Sequence, residues 1–409
     1  MPKHRMLGII SGVGSMMVSA LDDDKKDNIE VVGNYEWRKY YNSGTFERNF
    51  DAPLWDKWEN VPEEAKQDID IVMSHPECGN FSILQKDLSK RTEENDIGEF
   101  VEHIAEIKPK FFLMDNLYPS LAVYPASFYQ EMLPEYDVFF EFVSNYHYGN
   151  VQKNRKRLFL VGARKELKFT FMPGEEEYIE TVRTVIGDLP LYDDIPEIQH
   201  VHVDPDDEAE GWHLPGLGKD APEGVRGYYT YGELAKRFIE SGPGKGLTYL
   251  SKKAGVEKIR LGYFRLGWDQ HGYVLHGGSP SRYHGHFHPE TGMPLTVRER
   301  ARIQGFPDHF QFVLPEKWAH LGIKQTGKAM PVEFCRFATE QFIEHLEQRG
   351  HFEPTCERFA NIPDLVSEEK ENYCKTTGYS DQGTACDMCW KARDCETRNK
   401  MISETFFEF

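Results

Sequence analysis

Cys78 lies in the stretch SHPECGNFS, Ser74 to Ser82, directly after the short apolar run IDIVM, Ile69 to Met73. The run reads as a buried strand, which a proline then ends. A lone thiol at the mouth of a strand sits where ligands bind in open α/β sheets. As a thiolate it could act as a covalent nucleophile; the plain alternative is a small buried side chain. Near the start of the chain, IISGVGSM puts Gly12 and Gly14 after another strand, where backbone must turn tightly or approach a ligand closely. The spacing lacks the full dinucleotide fingerprint, so an ordinary tight turn stays open. Glu36, at the end of the second strand, is where a ribose diol is gripped in such folds. Together the glycines and the acid suggest an adenosine moiety.

A second cluster closes the chain. Cys374, Cys386, Cys389 and Cys395 are separated by eleven, two and five residues. One CxxC with two flanking cysteines suits a metal. Zinc and a [4Fe–4S] iron–sulfur cluster both fit, and Cys356 could replace Cys374.

These residues need a scaffold, and the first third of the chain supplies one. MLGIIS, IEVVGNYEW, DIDIVM, KFFLMDN, YDVFFEFV and KRLFLVGAR read as strands. Between two of them, IGEFVEHIAEI places Phe100, Val101, Ile104 and Ile107 on one helical face. This is the pattern of a doubly wound, mostly parallel, Rossmann-like sheet with helices on both sides. From about residue 190 it dissolves into Pro-, Gly- and His-rich segments that suggest a small second domain of short strands and long loops. Helix returns at TVRERARIQ and again at AMPVEFCRFATEQFIEHLEQRG, with Gly350 as a stop. The expected boundaries are 1–180, 181–292, 293–350 and a Cys-rich tail at 351–409.

Composition narrows the function classes. Of the 409 residues, 39% are hydrophobic and 13% aromatic, which fits a packed globular protein. The net charge of -19 disfavours nucleic acid as a partner, since such proteins present basic faces. The stretch QKNRKRLFLVGAR is nevertheless locally basic. Seven irregularly spaced cysteines do not make a secreted disulfide framework. Gly and Ser interrupt the apolar middle of the N-terminal segment, which argues against a signal peptide. There is no run of about 18 apolar residues to cross a membrane. A cytoplasmic monomer is expected.

In order, HPECGNFS, PKFFLMDNLYPSL, YGNVQKNRKRLFLVGAR, LTVRERARIQGFPDHFQF and QTGKAMPVEF resemble the core of the DNA cytosine carbon-5 methyltransferases. SGVGS and NYEW precede them in the right places, and the resemblance covers roughly residues 7 to 346. It implies a sheet domain that binds S-adenosylmethionine, closed by the last helix, with a target-recognition region inserted before that return. It implies double-stranded DNA as partner and a cytosine flipped out of the helix. Carbon 5 of cytosine cannot take a methyl group unaided, whereas thiolate addition at carbon 6 makes an enamine that can. Cys78 falls at the family's nucleophile. Relatives acting on RNA, or silent relatives that only bind DNA, are the alternatives.

By the same resemblance Asp115 is the acid that meets ring nitrogen 3, with Asn116 holding the local backbone. The family has Glu there, one methylene longer. Arg157 is assigned to the cytosine carbonyl and Arg155 to phosphate or structure. Glu299 and Arg302 are expected to tie their helix to the sheet domain, and Phe306-Pro307 to end it.

Two departures matter. The family's Pro-Pro-Cys is here Pro76-Glu77-Cys78, and Glu77 is expected to face away from the thiol. The family's Gly-Asn-Ala loop, over the donor's methionine end, here carries Lys328. At about 5 Å and an effective dielectric near 20, a lysine facing a sulfonium costs roughly 3 kcal/mol. Either Lys328 snorkels to solvent, or the donor carries an anion. Carboxy-S-adenosylmethionine would be such a donor, giving 5-carboxymethylcytosine.

Overall fold

The computed structural model describes residues 3–41, 43–81, 96–153, 155–172, 180–190, 264–275, 286–313 and 320–348, with a few positions between 236 and 243. A seven-stranded sheet organises them. Its strands are β1 (His4–Ile9), β2 (Ile29–Tyr35), β3 (Leu54–Trp55), β4 (Ile71–Ser74), β5 (Phe111–Asn116), β6 (Tyr136–Ser144) and β7 (Lys156–Arg164). Their order across the sheet is β3-β2-β1-β4-β5-β7-β6. Six of the seven follow the apolar runs of the sequence. The two-residue β3, entered through Pro53, is too short to leave a periodic signal.

The central strands are apolar on both faces because helices cover both. On one face Phe111 stacks on Phe342 of the last helix, with ring centroids 4.6 Å apart. On the other, Phe112 meets Phe100 edge to face. Phe100 belongs to α1 (Asp96–Ile107), whose Phe100, Val101 and Ile104 are fully buried. Truncating a buried phenylalanine of this kind to alanine costs about 3–5 kcal/mol.

β7 runs antiparallel to both neighbours, while β1 pairs in parallel with β2 and β4, and β4 with β5. This reversal positions chemistry. The carboxyl ends of β2, β1, β4 and β5 lie side by side, and the beginning of β7 meets the end of β5, with Leu158 opposite Asn116. Arg157 is thereby delivered to the same edge as the loops after the parallel strands.

The returning segment comprises α2 (Val297–Ile303), α3 (His320–Lys328) and α4 (Val332–Gln348). Three details differ from the sequence reading. Lys328 is the last residue of α3, not part of a loop. α2 ends before Phe306-Pro307, with Gly305 in the left-handed region at φ 82°. Glu299 closes a capping box with Thr296 on its own helix, and Arg302 pairs with Asp308 and Asp188, so neither ties the helix to the sheet. Asn150 and Gln152, just before β7, tie it there instead by donating to the Ile303 carbonyl, while Arg298 and Arg300 hold the returning segment together. Arg298 reaches the Phe310 carbonyl, and Arg300 reaches Thr326 Oγ1 and the Ile323 carbonyl on α3.

Of the expected target-recognition region, 181–292, only 181–190, 264–275, 286–292 and the few positions near 240 are described. They include a two-stranded parallel pair, Phe264–Arg265 with His286–Phe287. Residues 351–409, with all four proposed metal-binding cysteines, lie outside the described residues. Among the described residues no helix is long and apolar enough to cross a membrane, and no group of His, Cys, Asp or Glu could hold a metal.

Candidate active site

At the carboxyl edge of the sheet, Cys78 follows β4 and Asp115 is the penultimate residue of β5, with Arg157 between them. Arg157 Nη1 donates to Cys78 Sγ at 3.5 Å, and its Nε lies 3.8 Å from Asp115 Oδ1. Cys78 keeps partial exposure, while Asp115 is fully buried. Neither carboxylate oxygen of Asp115 has a hydrogen bond among the described residues, and neither does Asn116 Nδ2. Asn116 Oδ1 accepts from the Leu117 amide, so it holds the turn out of β5. Buried polar atoms are rarely left without partners, so a bare carboxylate here calls for a ligand or water. Burial raises the Asp115 pKa to about 7 against the pull of Arg157 and Arg155.

The two arginines divide by environment. Arg155 is buried, donating from Nη1 to the Leu275 carbonyl at 3.0 Å and from Nη2 to the Ala329 carbonyl at 2.6 Å. It therefore stitches the entry to β7 to Leu275 of the inserted region and to the residue after α3. Burial, with Arg157 beside it, lowers its pKa to about 9. For Arg157 the opposite holds: desolvation is outweighed by Asp115 and Cys78, which raise it.

The glycine turn after β1 is left-handed at Gly12 (φ 64°) and Gly14 (φ 84°). A Cβ on Gly12 would come within 3.1 Å of the Tyr41 ring, so the close approach there is to the protein itself. Ile10, just before the turn, is also left-handed at φ 55°, an outlier for a β-branched residue. Glu36 is fully buried and saturated from within. Its Oε2 accepts from the Gly12 amide at 2.7 Å and from Arg38 Nη2 at 2.7 Å, and its Oε1 accepts from the Arg38 amide and Nε. A carboxylate has about four lone-pair sites, so a ribose diol could bind Glu36 only by displacing one of these donors. The neighbouring Trp37 is 45% exposed and presents an aromatic surface at the mouth of β2. Its Nε1 donates to Asp96 Oδ1 at 3.2 Å; the motif NYEW contains it, but its exposure is legible only in the fold.

Lys328 turns inward. Its Nζ donates to Glu77 Oε2 at 2.7 Å and to the Tyr40 hydroxyl at 3.1 Å. Tyr40 itself donates to Glu77 Oε2 at 2.9 Å. Glu77 Oε1 accepts from the Gly79 amide, and Arg38 Nη1 stands 3.9 Å from Oε2. Burial would raise the Glu77 pKa, but Lys328 and Arg38 outweigh it and hold it at about 2. The two departures from the family pattern, 251 positions apart in the chain, thus form one ion pair. No local sequence pattern links them. The snorkelling alternative for Lys328 is not what the structure contains.

The sequence profile of the C-5 cytosine-specific DNA methylases matches residues 4–344. The chain belongs to that family. It is a DNA cytosine methyltransferase by descent, of a family whose methyl donor is S-adenosylmethionine. Curated relatives include the type II methyltransferase M.XorII of Xanthomonas oryzae, 27% identical over 72% of this chain and 72% of that protein. Another, M.FnuDI of Fusobacterium nucleatum, is 24% identical over 84% of this chain and 96% of its own length. Among solved structures, a putative DNA modification methyltransferase from an Escherichia coli prophage superposes with a TM-score of 0.58 at 19% identity. That alignment covers 85% of this chain and all of the other. A methyltransferase of Entamoeba histolytica reaches 0.54 at 11% identity, over 85% of this chain and 99% of its own. These two likenesses establish the shared methyltransferase fold.

Proposed function

We propose that this DNA cytosine methyltransferase acts by covalent catalysis through Cys78, with Asp115 as the acid at ring nitrogen 3 and Arg157 bridging the two. The observation that carries the reading is the pairing of a partly exposed thiol with a fully buried carboxyl, not hydrogen-bonded among the described residues, across one guanidinium. S-Adenosylmethionine supplies an electrophilic methyl group on a sulfonium. Trp37 and the Gly12–Gly14 turn would receive it, with the turn held by the Glu36–Arg38 pair.

In this mechanism the flipped cytosine lies against Cys78. The Cys78 thiolate forms a bond to carbon 6, and the ring electrons move toward nitrogen 3, where protonated Asp115 donates. With a pKa near 7, Asp115 holds a proton on a substantial fraction of molecules at neutral pH. Arg157 stays beside both the sulfur and the carboxyl and offsets the negative charge that passes between them. Carbon 5 takes the methyl group; a solvent base then removes the carbon-5 proton as Cys78 departs as the thiolate, and the nitrogen-3 proton returns to Asp115, which regenerates the aromatic ring.

The direct test is DNA containing 5-fluorocytosine, which blocks the final proton loss. The expected result is a denaturant-stable complex with the native protein and none with Cys78→Ser. Equal trapping by Cys78→Ser overturns the assignment.

One observation bears on the alternative donor, carboxy-S-adenosylmethionine. The Lys328 ammonium faces inward, as that reading needs, but Glu77 already neutralises it. The donor therefore need not carry an anion, and methyl transfer is the better-supported reaction. Offering both donors together and weighing the modified cytosine decides it. The reading favoured here predicts only 5-methylcytosine, and 5-carboxymethylcytosine as the main product overturns it. For the tail, Cys374, Cys386, Cys389 and Cys395 are proposed to hold zinc or an iron–sulfur cluster, and metal analysis of anaerobically purified protein tests this.

A further inference from the structure

The family's acid is a glutamate, and Asp115 is one methylene shorter. A shorter side chain reaches less far and needs another contact to fix its orientation. One candidate partner stands at the end of the adjoining strand. His75 directly follows β4, its side chain is buried, and its Nε2 lies 3.7 Å from Asp115 Oδ2. Its backbone is held on both sides: the amide donates to the Ile10 carbonyl at 3.0 Å, and its carbonyl accepts from Arg38 Nη2 at 3.1 Å. Arg157 approaches Oδ1, the other oxygen. The carboxyl is thus flanked by an imidazole on one oxygen and a guanidinium on the other.

We propose that His75 is the positioning residue for Asp115, turning Nε2–H onto Oδ2 so that Oδ1 carries the proton toward ring nitrogen 3. A displacement of well under an ångström converts the present separation into a hydrogen bond. The imidazole can serve only as a neutral donor. Its surroundings enforce that: burial first, then Arg157, Arg38, Arg155 and Lys328, all depress its pKa well below the ordinary value. Among the described residues the titratable groups acting on Asp115 include Arg157, Arg155, His75 and the buried Cys335, whose thiol burial keeps protonated, so with His75 uncharged the arginines supply the positive charge. A neutral donor on Oδ2 favours the carboxylate form modestly. It therefore keeps the Asp115 proton transferable at neutral pH instead of locked on by burial.

The inference rests on Asp115 being the acid, and the experiment separates the two claims. Single-turnover methyl transfer to duplex DNA is measured against pH for the native protein, His75→Gln, His75→Leu and Asp115→Asn, with DNA affinity and melting temperature in parallel. Gln retains a donor near the position of Nε2, whereas Leu fills the volume without one. His75→Leu is expected to lose about tenfold or more in rate at neutral pH. Its alkaline limb should move to higher pH, because loss of a donor to the carboxylate raises the Asp115 pKa. His75→Gln should restore most of the rate and the native limb, with DNA affinity unchanged in both. Should His75→Leu fail to fold, His75→Ala makes the same comparison. A limb that stays put in the donor-less variant, or equal losses in the Gln and donor-less variants, overturns the role of His75 while leaving Asp115 intact. Full activity in Asp115→Asn overturns the acid assignment itself.

Discussion

Lys328 Nζ and Glu77 Oε2 are 2.7 Å apart, joining the end of α3 to the residue before Cys78. Each of these residues alone would trouble a site of this kind. A lone lysine would repel a sulfonium, and a lone carboxylate would stand next to Cys78. Paired, and with the Tyr40 hydroxyl bonded to both, they cancel. Their side chains are only 27% and 23% exposed, so solvent screens the pair weakly.

The pair should therefore behave as a unit in a double-mutant cycle. Glu77→Gln leaves an uncompensated ammonium, and S-adenosylmethionine should bind about tenfold or more weakly. Lys328→Asn strands the carboxylate. The double variant Glu77→Pro with Lys328→Asn recreates the family's usual residues and should recover much of the loss, since contacting groups are non-additive. Calorimetric titration of the donor into all four proteins reads the coupling. Strict additivity would mean that the ion pair has no bearing on the donor.

Arg155, just before β7, and Arg157, at its start, should separate cleanly by phenotype. Arg157→Ala removes the group touching both Cys78 and Asp115, and turnover should fall about 10²-fold, in the range for loss of one transition-state donor, with little change in melting temperature. Arg155→Ala instead leaves the Leu275 carbonyl without its donor, at about 1–3 kcal/mol, and leaves the Ala329 carbonyl to Gln304 Nε2. It should lower the melting temperature and disturb DNA binding. Identical thermal stability in Arg155→Ala would contradict its structural role.

The strands that carry this chemistry were readable because a sheet covered on both faces requires continuous apolar runs, and Phe111 to Met114 is such a run. Cys78 and the glycine turn were readable because polar or reactive residues at strand mouths break those runs. What could not be read is whatever depends on pairing across the chain. Glu36 was recognisable as a strand-end acid, yet its four donors, three of them from Arg38, emerge only when the chain curls back at residue 38. The Glu77–Lys328 pair depends on α3 running as a helix to its last residue. The proximity of His75 to Asp115 depends on β4 and β5 being neighbours in register, with Ser74 opposite Met114. The inserted region offered no periodicity from which a target sequence could be inferred.

Asp115 should impose an inverted pH dependence on stability. Its folded pKa of about 7 lies above the ordinary 3.8, so the folded state holds a proton that the unfolded chain has released. Stability from this group is therefore fully present below about 3.8 and lost as pH rises toward 7. Glu141, Glu299 and Glu333 behave alike, each raised from 4.5 to about 7 by burial. The buried histidines oppose them: burial holds His75 well below 6.5 and His288 near 4, so their contribution is lost as pH falls below 6.5. The carboxyls begin to protonate first, so the melting temperature should rise as pH is lowered from 8 toward 6.5. Asp115→Asn removes one such penalty. At pH 8 it should be both about 10²-fold or more slower in methyl transfer and more heat-stable than the native protein, a combination that simple damage to the fold does not produce. Melting curves of the two proteins at pH 8 and pH 6 measure this directly: the gap between them should narrow at the lower pH. A gap that is absent at pH 8, or that widens on acidification, would mean that the buried carboxyl is ionised with a partner supplied by the rest of the chain.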